Sequence, residues 1–218
     1  MVVLICVWSS KGGVGCSVVA AGAAILSAKR APTLLVDLAG GVDAVLGVGL
    51  PEAGLVEWFE SPEASPDALA RLETVVSDNL SVLSVGGGDV GRVGHGLLDQ
   101  QVEILARVLE FDKRLVVVDL GRGVVPYRPI LARASQSILV VRACYLALSG
   151  VESGVLPDVA VVVREPARVL TTADIERALE CPVGATLPWD PAVARSVDAG
   201  LLLRRVPHSL DKLHCLIQ

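Results

Sequence analysis

At 218 residues, 52% hydrophobic and 20% charged, the chain has enough apolar surface to offset the entropy of folding, which excludes a disordered polypeptide. Its longest apolar stretches, Val2–Trp8 and Val18–Leu26, fall well short of the ~18–20 residues that cross a bilayer, and Val2–Trp8 lacks the basic flank and cleavage site of a signal peptide. A net charge of −5 argues against a broad nucleic-acid face, and the scattered Cys6, Cys16, Cys144, Cys181 and Cys215, with no CxxC pair, suit reduced thiols in the cytoplasm better than a disulfide frame or zinc site.

Aromatic residues make up only 3%, so the core must be built from Val, Leu, Ala and Ile. These fall in short uninterrupted runs, the pattern of strands buried on both faces. In chain order the runs predict a strand at Val2–Trp8, an Ala-rich helix at Ser17–Lys29, and strands at Thr33–Asp37 and Leu80–Val85. A helix follows at Leu97–Phe111, with Leu97, Leu105, Val108 and Leu109 near helical spacing, then strands at Leu115–Asp119, Ile138–Val141 and Val159–Val163. The last elements are a capped helix at Thr172–Leu179, a strand at Val183–Leu187, and helices at Pro191–Ala199 and Ser209–Ile217. This alternation predicts right-handed crossovers and a doubly wound, mostly parallel sheet of seven to eight strands flanked by helices. Ser61–Pro66 and Gly86–Gly96 read as loops rather than boundaries, so residues 1–218 are expected to form a single domain.

The first strand runs directly into Ser9-Ser10-Lys11-Gly12-Gly13-Val14-Gly15-Cys16-Ser17 and then into a helix. That is the setting of a phosphate-binding loop. Glycines let several backbone N–H groups turn inward, the helix start adds positive potential, and a Ser hydroxyl can ligate Mg²⁺. Against the pattern G-x-x-x-x-G-K-[ST], Ser10 stands at the first glycine, Gly15 at the second, Cys16 at the lysine and Ser17 at the hydroxyl.

Lys11 to Ser17 resembles the deviant Walker A loop of the MinD/ParA ATPases, whose P-loop domain is of the SIMIBI type. The resemblance implies that Lys11 is the signature lysine, reaching across a nucleotide-sandwich homodimer. It assigns Gly12, Gly13, Val14, Gly15, Cys16 and Ser17 to the nucleotide phosphates. The strand Leu34-Leu35-Val36-Asp37 is similar to the family's strand two, and Leu115–Asp119 to a Walker B strand. Asp119 with Ser17 would then hold magnesium, Asp37 would lie on the switch and metal side or simply cap its own strand end, and Leu120–Gly123 would be switch II. Arg122 in that switch either replaces charge lost at Cys16 or is a solvated surface arginine. On the base side, Arg164 ends the strand where the family commonly has an adenine-reading Asn, and Pro188-Trp189-Asp190 resembles the family's P-x-D loop, with Pro188 and Asp190 as its contacts.

Departures from the family pattern carry as much weight as the match. Cys16 replaces the lysine that neutralises phosphate charge, and Ala39 stands where switch I carries a second carboxylate, a vacancy that only nearby Asp43 could fill. A thiol at a helix start could alternatively be stabilised as thiolate and act as a redox switch. The segments Val161–Pro166, Leu170–Leu179, Pro182–Pro191 and Val193–Gly200 resemble the CpaE/TadZ branch, related to septum-site-determining proteins. Its members often lack the P-loop lysine and usually carry an N-terminal receiver-like domain, which these 218 residues do not include.

The resemblance implies a positioning or scaffold protein for a pilus, secretion or septum machine, with weakened Mg-ATP or Mg-ADP binding and hydrolysis slow or lost. An active slow ATPase that dimerises on ATP is the alternative. The expected partners are a second copy of the chain and pilus, secretion or division-site proteins, in the cytoplasm with recruitment to a pole or septum. Nucleic acid is not expected, and membrane contact would be peripheral at most. The last helix, with Leu210, Leu213, Leu216 and Ile217 on one side and no arginine, is expected to pack on the protein rather than anchor it.

Overall fold

The computed structural model describes residues 3–61, 65–88, 95–151 and 155–217. Val2 of the first expected strand, and parts of the expected loops Ser61–Pro66 and Gly86–Gly96, lie outside the described residues. Strand β1 (Val3–Ser9) leads through the glycine loop to α1 (Cys16–Ala28), and β2 (Thr33–Asp37) is followed by short helices α2 (Val42–Leu46), α3 (Leu55–Glu60) and α4 (Pro66–Leu72). A hairpin of β3 (Glu73–Ser77) and β4 (Leu80–Leu83) precedes α5 (His95–Glu110) and β5 (Leu115–Arg122). Then come α6 (Arg128–Leu131), β6 (Gln136–Arg142), α7 (Tyr145–Leu148), β7 (Val159–Arg164), α8 (Thr172–Leu179), β8 (Val183–Pro188) and α9 (Pro191–Asp198). The last element is a 3₁₀ helix, His208–Leu216, where the sequence predicts a helix from Ser209 to Ile217.

All the strands join one sheet in the order β3-β4-β2-β5-β1-β6-β7-β8, parallel throughout except for β3, which runs antiparallel to β4. The sheet is doubly wound, as the apolar runs predict. One face packs Leu34, Val36, Val116 and Val118 against α3, α5 and α6. The other packs Ile5, Val7, Leu35 and Val117 against α1 and α2. The Val-rich central strands β2, β5, β1 and β6 are buried because their side chains, up or down, meet covering helices.

α1 is buried on nearly every side, and its small residues make that burial feasible. A Cβ on Gly22 would stand 3.1 Å from Leu213 Cδ1, so the C-terminal 3₁₀ helix seats directly in the groove that small side chains leave. Leu210, Leu213 and Leu216 are buried there between α1 and β8, which commits the apolar side of this segment to the core. Among the described residues no helix is long and apolar enough to cross a membrane.

The topology brings chemistry to one edge. β1 pairs with β5 so that Val7 faces Asp119, β2 pairs with β5 so that Asp37 faces Asp119, and β6 lies on the other side of β1. The carboxyl ends of β2, β5, β1 and β6 therefore surround the glycine loop, where ligands bind in such sheets.

Candidate functional site

Residues 10–15 turn the chain from β1 into α1 through two left-handed positions, Gly13 (φ 74°) and Gly15 (φ 98°), that a side chain would strain. Nothing packs against the Cβ positions of Gly12, Gly13 or Gly15, so the loop's inner surface is open. Lys11, Gly12 and Gly13 are exposed at its rim, Val14 is buried beneath it, and Ser17 is half-buried. Ser9 and Ser10 pin the base: Ser9 Oγ donates to the Gly121 carbonyl at 3.1 Å and Ser10 Oγ to the Ala147 carbonyl at 2.5 Å. α1 starts at Cys16 with no side-chain cap, so its first-turn amides border this open glycine cradle, an arrangement that attracts anions.

Cys16 turns away from that cradle. Its buried thiol donates to Asp119 Oδ1 at 3.3 Å and lies 3.8 Å from the Gly121 carbonyl. Burial, and then the neighbouring Asp119 carboxylate, push the thiol well above its ordinary value. The redox alternative is thereby corrected: the helix start does not yield a thiolate, because the thiol is desolvated and faces an acid. Thiol labelling of the folded protein is expected to modify exposed Cys215 and to leave Cys16 as unreactive as buried Cys6. Cys16 labelling as fast as Cys215 would contradict this.

Asp119 is fully buried at the end of β5. Oδ1 accepts the Cys16 thiol and, at 3.0 Å, the Gly121 amide, while Oδ2 is buried without a hydrogen-bond partner. Burial pushes this carboxyl up to about 6, and nearby Asp37 adds to the rise; the Ser17 hydroxyl offsets part of it without satisfying Oδ2. An orphaned carboxylate oxygen beside a hydroxyl is a hard-oxygen pair that fits Mg²⁺. Oxygen donors suited to such an ion thus lie behind the loop, whereas position 16 offers a neutral thiol.

Asp37 is engaged locally. Oδ1 accepts the amides of Ala39 (2.9 Å) and Gly40 (2.7 Å), and Oδ2 accepts that of Val42 (2.9 Å), so both oxygens cap the turn between β2 and α2. Asp43 does not move into the position vacated at Ala39: it is buried in α2 and accepts a short hydrogen bond from the Ser84 hydroxyl. Arg122 is exposed at the end of β5. The turn after β2 and the end of β5 meet at Gly121 (φ 61°), where a Cβ would lie 2.6 Å from that of Ala39. Gly121→Ala is therefore expected to destabilise by at least about 1–2 kcal/mol for the left-handed backbone alone, read as a lower denaturant midpoint. An unchanged midpoint would mean that Gly121 is not held in the left-handed conformation.

Beside the loop lies an apolar cavity of about 220 Å³ lined by Gly13, Val14, Gly15, Val163, Pro188, Trp189 and Val193, with Asp190 at its edge. Asp190 caps α9, accepting the Ala192 amide and the Ser209 hydroxyl, each at 2.8 Å. The structure brings Pro188 and Asp190 to the loop but not the head group of Arg164, which donates to the Leu170 carbonyl at 3.0 Å and lines an outer groove instead. The side chain that does reach the loop is Arg142. It donates to the Gly13 carbonyl and to Glu165 Oε1 (2.9 Å), and its guanidinium carbon lies 5.2 Å from the centre of the Trp189 ring. Sequence reasoning missed it. Its only signal was a charge closing the apolar run Ile138–Val141, and its importance depends on β6 lying beside β1.

A doubly wound sheet, a glycine loop between its central strand and a buried helix, and a strand-end aspartate behind that loop define the fold of P-loop NTPases. Within that class the architecture is that of MinD and ParA. It superimposes on the cell division ATPase MinD of Pyrococcus furiosus with a TM-score of 0.79 at 20% identity, covering 100% of this chain and 97% of that one. The septum site-determining protein MinD of Pyrococcus horikoshii OT3, solved with Mg-ADP, gives 0.79 at 18%, covering 100% and 95%. A ParA family ATPase from Chlorobium tepidum TLS gives 0.76 at 16%, covering 98% and 96%. Neither a protein-family model nor a curated protein sequence matches this chain.

Proposed function

We propose that this chain is a single-domain MinD/ParA-type protein of the CpaE/TadZ-like branch, acting as a spatial-positioning or scaffold factor for a pilus, secretion or septum machine, with ATP hydrolysis weakened or lost. The observation that carries this is the neutral, buried Cys16 thiol turned onto Asp119 where a P-loop needs a cation. One missing preorganised charge of this kind typically costs ~10²–10³ in rate. Ala39 and the inward-turned Asp43 leave switch I without a free carboxylate as well. The solved MinD structures of similar fold include a septum site-determining protein, which supports a positioning role.

Lys11 and the amides of Gly12, Gly13, Val14, Gly15, Cys16 and Ser17 would hold the phosphates of ATP or ADP weakly, and Pro188 and Asp190 would border the base. Ser17 and Asp119 would hold Mg²⁺, which when bound supplies neutralisation of phosphate charge. The working form is a homodimer in the cytoplasm, recruited to a pole or septum by contact with its machine. The second reading, a slow ATPase that dimerises on ATP, is favoured by one observation: the oxygen pair of Ser17 and Asp119 and the open amide cradle are intact. Turnover decides between them. With Mg-ATP in excess, the wild-type rate is expected to equal that of a Ser17→Ala, Asp119→Asn double variant, and a wild-type rate clearly above it would establish the slow ATPase.

A further inference from the structure

We propose that Arg142 supplies, from the neighbouring strand, the positive charge that the loop lacks at Cys16, by moving from the Gly13 carbonyl onto the phosphates of a bound nucleotide. This rests on the reading of the loop as a nucleotide site.

Several features place the guanidinium for that task. It lies on the wall of the cavity that Gly13 and Gly15 also line, so it is already at the mouth of the amide cradle. Its present partner on the loop is a neutral carbonyl, a weaker acceptor than a phosphate oxygen. Nε is buried with no partner, so the group holds an unused donor on the edge of the fork. The Trp189 ring backs its plane and Glu165 holds its Nη1, which fixes the fork beside the loop before any ligand arrives.

Glu165 is also a competitor. It accepts Arg168 Nε at 2.6 Å as well as Arg142, and Arg168 first, then Arg142 and Lys11, hold its carboxyl below the usual range. Arg142 and Arg168 therefore share one carboxylate, with Lys11 only within its field, and on Arg142 an incoming phosphate would replace it. Removing that carboxylate frees Arg142 for the ligand, whereas removing Arg142 deletes the cation. The two substitutions act in opposite directions. If Arg142 only braced the loop through Glu165, both would weaken binding.

Isothermal titration of the full chain with Mg-ADP tests this, on wild type, Arg142→Gln, Glu165→Gln and the double variant. Arg142→Gln is expected to weaken affinity about tenfold, the size of a charge-assisted hydrogen bond. Glu165→Gln is expected to strengthen it about two- to fivefold, the scale of one partly exposed ion pair, with the gain absent in the double variant. Equal affinity in wild type and Arg142→Gln, or a Glu165→Gln gain that persists in the double variant, would overturn the inference and leave the nucleotide reading standing. A wild type that binds no Mg-ADP would overturn both. Should Arg142→Gln not fold, Glu165→Gln decides alone, and a loss of affinity in it sinks the proposal.

Discussion

Asp119→Asn is expected to stabilise the nucleotide-free protein by about 3 kcal/mol at pH 7.5, a rise in Tm of roughly 6–10 °C. The folded-state carboxyl titrates at about 6, above the ordinary 3.8, because burial penalises its charge. The folded chain thus holds that proton more tightly than the unfolded chain, and the stability from the protonated form is present below pH ~4 and lost as pH rises through 6. At pH 7.5 the ionised group is a net cost. Asparagine keeps the acceptor used by the Cys16 thiol and the Gly121 amide and places a neutral amide where Oδ2 has no partner. The advantage of the variant should fall to about half by pH 5 and vanish below about pH 4. Thermal unfolding of both proteins across that range checks the sign, and a variant less stable than wild type at pH 7.5 would show that the buried carboxylate is otherwise compensated. Such a costly carboxylate is what a metal-holding position looks like when stability is given up for a site.

Cys16→Lys is expected to tighten Mg-ADP binding about a hundredfold, the upper range for hydrogen bonds to a charged group. Position 16 opens α1 beneath the open cradle, and its present side chain is spent on Asp119. A lysine there has a stem long enough to return to the loop and carries the charge at the point where phosphate charge gathers. It would also face the Asp119 carboxylate, an acid that the thiol leaves un-neutralised. Titration calorimetry on the two proteins measures the change. Unaltered affinity would mean that the loop, and not the missing cation, limits binding.

The elements legible in the sequence are those whose signals are local. Val3–Ser9 and Leu115–Asp119 are uninterrupted apolar runs, and Gly12–Ser17 is a glycine turn in front of a small-residue helix, so strand, loop and helix follow from the chain alone. β3 was not legible, because Glu73–Ser77 is a half-exposed edge strand with no apolar run, made a strand only by its antiparallel pairing with β4. Helices α2 and α3 are five and six residues long, too short to show a period, and form where their apolar faces meet the sheet. At the site, the glycine loop was legible from its residues, and Asp119 as an acid closing an apolar run whose role came only from the family resemblance. Arg142 and the outward turn of Arg164 were not, since both depend on strand order: Arg142 reaches a loop that lies 129 residues away in sequence. The orientation of Cys16 onto Asp119 depends likewise on β1 and β5 pairing.

Light scattering coupled to size-exclusion chromatography, with and without Mg-ATP, tests the central claim most directly. A protein that works by contact, with its loop cation missing, is predicted to run as a dimer of the same mass in both conditions. A monomer that becomes a dimer only when Mg-ATP is added would contradict that account and establish a nucleotide-driven switch.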